Sequence, residues 1–249
     1  MSDVQREASA VKRAALVTGG SSGIGLAIAG VLAMDGYDIT ISGRRVDELE
    51  RSVARLRENC VVVQAVPSDL THEDQIVALV DAHRDKFGRL DVLVNNAGVG
   101  FVQTPSEITA KKLDVQIAVN LRGLILATRE ALPMLKQAGA EHGKALIINV
   151  ASIAAKKGRG WLPVYSATKA GVVGFSQATQ QEHEHDGIQV TALCPGLVDT
   201  PMTDFIKGEV PSGTMLRPDD IGEAVRFVLR TSPACLVPEI VFHRPGELD

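Results

Sequence analysis

At 249 residues with a formal net charge of −4 and an isoelectric point near 5.9, the chain lacks the basic excess that a phosphate backbone demands, which argues against nucleic acid as a partner. Its three cysteines, Cys60, Cys194 and Cys235, are odd in number, widely spaced and free of any C-x-x-C pattern, so they suggest neither a disulfide framework nor a zinc cluster. The opening MSDVQREASAVKRA has no signal-peptide apolar core and no run approaches the roughly eighteen apolar residues of a membrane span, so a soluble, cytoplasmic protein is expected.

Short β-rich runs alternate with helix-length amphipathic stretches. The expected strands are 14–18 (AALVT), 38–42 (DITIS), 60–66 (CVVVQAV), 90–95 (LDVLVN), 145–150 (ALIINV) and 188–193 (IQVTAL), several of them nearly all apolar, as strands covered on both faces should be. Helices are expected over 24–34, 46–58, 73–87, 110–137 and 164–184. A final helix follows RPDD at 219–230, and LVPEIVF, 236–242, adds a last strand. This rhythm implies right-handed crossovers and an α/β fold, a parallel sheet of about seven strands with helices on both faces. No repeat or linker interrupts it, so residues 1–249 read as a single domain.

In such a sheet a ligand sits beyond the carboxyl ends of the strands, where strand order reverses. After the first strand comes TGGSSGIG, Thr18–Gly25, leading directly into a helix. Gly19 permits a sharp turn, Gly23 lets backbone approach a diphosphate, Gly25 lets the helix pack close, and Ser21 and Ser22 can donate hydrogen bonds. The second strand ends in SGRR: Gly43 removes the side chain that would repel a 2′-phosphate, and Arg44 offers it a planar donor. Arg45 either shares that role or faces solvent, paired with Asp47 or Glu48. Asp69 and Leu70 in PSDL either bracket an adenine or, in the case of Asp69, cap the following helix in competition with Thr71. NNAG, Asn95–Gly98, presents small residues to a ligand while its amides tie neighbouring loops together. The fifth strand end offers Ser152, and the sixth offers a Pro195-Gly196 corner and Thr200.

Tyr165 and Lys169 in YSATK stand one helical turn apart on one face. A tyrosine normally loses its proton near pH 10, and a cation held close favours the phenolate.

With TGGSSGIG, NNAG, Ser152, YSATK and PGLVDT in this order, the chain resembles the short-chain dehydrogenase/reductases from about Lys12 to Ala234. That resemblance implies a Rossmann-like domain and an oxidoreductase that transfers a hydride between NADP(H) and a ketone or secondary alcohol, with 3-oxoacyl or 3-oxo acid compounds as the best-supported substrate class and sugars, steroids and small diketones as the open alternatives. It implies Tyr165 as proton donor or base, Lys169 on the nicotinamide ribose and lowering the tyrosine pKa, Ser152 on the carbonyl oxygen, and Asn120 holding a water behind the lysine. Cofactor contacts are implied along Gly19, Ser21, Ser22, Gly23, Ile24 and Gly25, at Gly43, Arg44 and Arg45, at Asp69 and Leu70, and at Asn96, Ala97 and Gly98. Tyr165, Lys169, Pro195, Gly196, Val198 and Thr200 complete that set. No metal is needed. The irregular segment Val198–Arg217 looks like the family's substrate lid.

Many family members end in a glycine-bearing strand that packs across a subunit interface, whereas this chain ends LVPEIVFHRPGELD. Helices 110–137 and 164–184 are still expected to pair copies as a homodimer or homotetramer. Lys156, Lys157 and Arg159 form either a solvated loop or a lure for anionic substrates. Trp161 lines either the pocket or an interface. His183 and His185 point to different helix faces, which disfavours a metal pair. The alternative reading is a catalytically idle NADP(H)-binding sensor or scaffold, against which the joint presence of Asn120, Ser152, Tyr165 and Lys169 speaks.

Overall fold

Apolar runs at the expected places become seven parallel strands, seen in a computed structural model that describes residues 12–247. They are β1 (Ala14–Thr18), β2 (Asp38–Gly43), β3 (Val63–Pro67), β4 (Val92–Asn95), β5 (Ala145–Val150), β6 (Ile188–Pro195) and β7 (Glu239–Phe242). The sheet order is β3-β2-β1-β4-β5-β6-β7, so strand order reverses between β1 and β4. Register keeps the carboxyl ends level: Thr18 pairs with Asn95, Asn95 with Asn149, and Pro195 with Phe242. Most of the N-terminal stretch read as lacking a signal peptide lies outside the described residues, as do the last two residues of the tail.

Among the described residues there are seven α-helices, α1 (Gly23–Met34), α2 (Val46–Arg57), α3 (Glu73–Phe87), α4 (Ala110–Ile117), α5 (Gly123–His142), α6 (Pro163–His183) and α7 (Pro218–Arg230), of which α4 packs against α6 rather than on the sheet. Ile28 and Leu32 of α1, Leu49 and Leu56 of α2, and Ile221 and Val225 of α7 pack on one face against Ile39, Ile41 and Val94. Leu79 of α3 and Leu135 of α5 pack on the other against Leu16, Leu93 and Ile147. Both faces of the central strands are therefore dry, which is why those strands are unbroken apolar runs. No helix among the described residues is long and apolar enough to cross a membrane.

Several expected boundaries move, the last strand, for one, beginning at Glu239 rather than residue 236. The third strand begins at Val63 rather than residue 60, because Cys60 adopts a left-handed conformation (φ 58°) in the turn after α2. The single helix expected over 110–137 is two, α4 and α5, joined by a π-helical turn at Ala118–Arg122 that contains Asn120. Inserting a π turn widens the helix locally, a device concentrated at functional sites. Segment 198–217 is irregular as expected, built from 3₁₀ turns at Pro201–Ile206 and Ser212–Thr214.

Candidate active site

The carboxyl ends of the strands open into a cavity of about 590 Å³. Of the residues singled out from sequence for catalysis or cofactor contact, all lie on its wall except Gly25 and Asn120, which stand directly behind it.

At the β1 end, Gly19 (φ 63°) and Gly23 (φ 52°) take left-handed conformations that side chains disfavour. Gly25 has no room for a side chain, because a Cβ would collide with the Gly19 carbonyl and the Asn96 amide. Ser22 precedes α1 in extended conformation without capping it through its side chain, and the first helical turn carries no acidic residue. The N–H groups of that turn are thus directed to the cavity as a ready anion site. Thr200, from beyond β6, covers Gly23, where a methyl group would approach its Cγ2 at 3.0 Å.

At the β2 end, Arg44 is exposed and makes no ion pair among the described residues, whereas Arg45 pairs with Glu48 at 2.5 Å. Arg45 thus makes the expected Glu48 pair while still lining the cavity. Asp69 lines the cavity but does not cap α3, whose N-cap is His72; its Oδ1 instead closes the turn before the helix, accepting from Thr71 N at 2.9 Å and Thr71 Oγ1 at 2.8 Å. The Thr71 N–H is the first cause holding its carboxyl below the usual range, and the nearby Arg44 adds to it. Asn96 lines the cavity, but its amide is spent on the glycine turn, donating to Thr18 O and Gly19 O at 3.0 Å. Its side chain positions the turn and leaves Ala97 and Gly98 to offer backbone to a ligand. Asn95 is wholly structural, donating to Thr128 Oγ1 at 3.0 Å and Asn149 Oδ1 at 2.9 Å.

Ser152, Tyr165 and Lys169 line the cavity together, with the Ser152 hydroxyl against the Tyr165 phenol. The β4–α4 loop passes close enough that a methyl group on Gly100 would touch the Tyr165 ring at 3.4 Å. One on Gly98 would lie 3.5 Å from both Lys169 Nζ and Asn120 Oδ1. Lys169 is 3% exposed and donates to Val150 O at 2.7 Å. Asn120, 1% exposed, accepts from Val99 N and donates to Val99 O, both at 2.8 Å, and donates to Thr168 Oγ1 at 3.1 Å. Its side chain locks the loop to α6.

One expectation is corrected by the electrostatics. The Tyr165 phenol is raised above its ordinary value, because burial outweighs the lowering influence of the Ser152 hydroxyl; Lys169 is not among the causes. Burial also lowers Lys169 itself, to about 8. The ammonium is drawn to Val150 O and lies 5.7 Å from the centre of the tyrosine ring. In the protein alone, desolvation therefore sets both values, and it favours the neutral forms.

Lys156 is tied to Glu239 of β7 at 3.0 Å and Lys157 is exposed, so of the three loop cations only Arg159 reaches the cavity. Trp161 is on the wall, edge-on to Phe205 with ring centres 6.3 Å apart. Sequence reasoning missed Arg244, Gly246 and Glu247, which line the cavity from the chain beyond β7. Their only advance signal was the departure of the C-terminus from the family pattern.

A family model described as short chain dehydrogenase matches residues 13–210. A putative ketoacyl reductase of the monensin polyketide synthase from Streptomyces virginiae is 39% identical over 195 residues, 78% of this chain and 74% of its own. The alcohol dehydrogenase of the archaeon Thermococcus sibiricus, solved with 5-hydroxy-NADP, superposes with a TM-score of 0.85 at 29% identity, covering 94% of this chain and 99% of its own. The 3-ketoacyl-(acyl-carrier-protein) reductase of Brucella melitensis, solved with NADH, gives 0.83 at 32% identity, covering 93% and 98%. With the glycine turn, the Ser152–Tyr165–Lys169 cluster and these matches in agreement, the chain belongs to the short-chain dehydrogenases, a family of oxidoreductases.

Proposed function

We propose that this protein reduces a ketone with NADPH, or oxidises the matching secondary alcohol with NADP⁺, and that its substrates are 3-oxoacyl or 3-oxo acid compounds. The observation that carries the reading is that Tyr165, Ser152 and Lys169 share one cavity with a helix N-terminus that has no side-chain cap and an arginine at the β2 end that is unpaired among the described residues. Those features fit a dinucleotide: the α1 N-terminus suits a diphosphate, and Gly43 with Arg44 suits a 2′-phosphate.

A reduced nicotinamide supplies a hydride to the carbonyl carbon. The protein then has to stabilise the negative charge that develops on the carbonyl oxygen and deliver a proton to it. Ser152 donates a hydrogen bond to that oxygen and Tyr165 gives it the phenolic proton. The phenol carries its proton at neutral pH, and burial raises its pKa further above the ordinary value. Lys169 holds cofactor ribose and resupplies charge beside the phenol, while Asn120 fixes the loop carrying Gly98 against the lysine. Segment 198–217 acts as the substrate lid.

The two solved relatives hold different cofactors, an NADP derivative in one and NADH in the other, so the preference for NADP(H) rests on Gly43 and Arg44. The test is NADPH consumption across a panel of 3-oxo acids, their esters and simple ketones. Turnover of at least one class, abolished in Tyr165→Phe, is expected. Binding of NADPH without consumption on every member would replace this reading with a sensor.

A further inference from the structure

Beyond β7 the chain turns back over the sheet edge. Gly196 N donates to Phe242 O at 2.9 Å, and a turn at Arg244–Glu247, eased by Gly246 at φ 79°, brings the Glu247 carboxylate onto Gly196. Any side chain at Gly196 would collide with that carboxylate. Glu247 holds Arg244 in turn: Arg244 N donates to Glu247 Oε2 at 3.3 Å, and Arg244 Nε lies 3.8 Å from Oε1. The same Nε is shut off from solvent without a hydrogen-bond partner among the described residues.

Sheet order places this tail. The expected cofactor phosphate and adenine positions lie at β1, β2 and β3, the catalytic cluster lies at β5 and α6, and Arg244 stands past β7, on the far side of the cluster. Arg159, between Ser152 and Tyr165, reaches the same cavity and makes no ion pair among the described residues. Two arginines from distant parts of the chain thus line the same cavity as the catalytic cluster, with the single carboxylate of Glu247 beside Arg244. A guanidinium is planar, keeps its charge at any working pH and matches a carboxylate bidentately. A net charge of about one unit suits a monoanion, and Glu247 repels a dianion such as a phosphate monoester more strongly.

We propose that Arg244, oriented by Glu247 and assisted by Arg159, forms a carboxylate subsite that selects oxo acid substrates carrying a free carboxylate over their neutral esters. This rests on the reductase reading above and narrows it. Arg244 is the specificity-determining residue, and Glu247 is a positioning residue acting through it.

The experiment compares kcat and KM for a 3-oxo acid and its ethyl ester in wild type, Arg244→Gln, Arg244→Lys, Arg159→Gln and Glu247→Gln. The wild type should favour the acid. Arg244→Gln should lower the acid-to-ester ratio of kcat/KM about 10- to 100-fold, mainly through KM, with the ester nearly unaffected. Arg244→Lys should restore part of the ratio, and Arg159→Gln and Glu247→Gln should lower it less. An unchanged ratio in folded Arg244→Gln, with both compounds still reduced, overturns the subsite and leaves the reductase reading standing. If the wild type reduces neither compound, the reductase reading falls. The subsite is then decided by titrating succinate into the NADPH-loaded protein and following Trp161, the only tryptophan, which lies on the cavity wall. Saturable quenching lost in Arg244→Gln supports it, and no quenching in the wild type overturns it.

Discussion

Lys169 Nζ lies 5.7 Å from the centre of the Tyr165 ring, one helical turn along α6, and gives its hydrogen bond to Val150 O rather than to the phenol. The pair is pre-assembled on one helix face, but its electrostatics are those of two desolvated groups.

Replacing Tyr165 by phenylalanine retains the ring against Gly100 and deletes the proton donor. Turnover should fall about 10²–10⁴-fold while thermal stability and NADPH affinity stay near wild type. Activity within a few-fold of wild type in a steady-state assay would remove Tyr165 from the chemistry.

The lysine makes a pH-dependent contribution to stability. In the unfolded chain it holds its proton up to its ordinary value of 10.5, whereas in the folded protein it gives it up at about 8. Between those values the unfolded state binds more protons, so this contribution favours folding increasingly as pH rises through the window. Tyr165 acts oppositely above its ordinary value of 10.0, because the buried phenol keeps its proton longer than the unfolded one. Wild-type stability relative to Lys169→Met, from urea midpoints, should therefore climb as pH rises from about 8 towards 10. A difference constant across that range would mean that the lysine titrates near its solution value.

Cofactor choice is predicted at the end of β2. One charge-assisted hydrogen bond is worth about 1.5–3 kcal/mol, or roughly ten- to a hundredfold in affinity. Arg44→Ala should raise KM for NADPH by that factor and leave NADH almost unchanged. Gly43→Asp should move the preference to NADH, with some loss of overall affinity, because its Cβ would lie 3.1 Å from Ser21 Oγ. Equal use of both cofactors by the wild type contradicts this.

Asn120→Ala removes three hydrogen bonds and leaves both backbone groups of Val99 without their partner. A loss of about 2–4 kcal/mol is expected, read as a lowered denaturation midpoint together with loss of turnover. A variant of unaltered stability would show that the loop is held by other contacts.

Much of this was legible in the sequence, for identifiable reasons. The strand ends were readable because parallel strands dry on both faces are continuous apolar runs, as 14–18 and 145–150 are. Tyr165 and Lys169 were readable because helical spacing puts them on one face and TGGSSGIG, NNAG, Ser152 and PGLVDT stand around them in order. The π turn was not, because it answers to tertiary packing: a Cβ at Gly123 would press on both Leu70 and the Ala118 carbonyl at 3.0 Å. The direction of the lysine hydrogen bond was hidden for the same reason, since its acceptor belongs to β5. The Arg244–Glu247 turn showed only as an unusual tail, because its destination is set by the bare backbone of Gly196 at the end of another strand.

The most direct measurement is isotopic. NADPH carrying deuterium at both C4 positions of the nicotinamide is incubated with the protein and an oxo acid, and the product alcohol is analysed by mass spectrometry. Deuterium on the carbinol carbon with wild type, and a rate of incorporation at least about a hundredfold lower with Tyr165→Phe, is the predicted result. NADPH bound but unconsumed, or a product alcohol free of deuterium, would contradict the assignment of this site to carbonyl reduction.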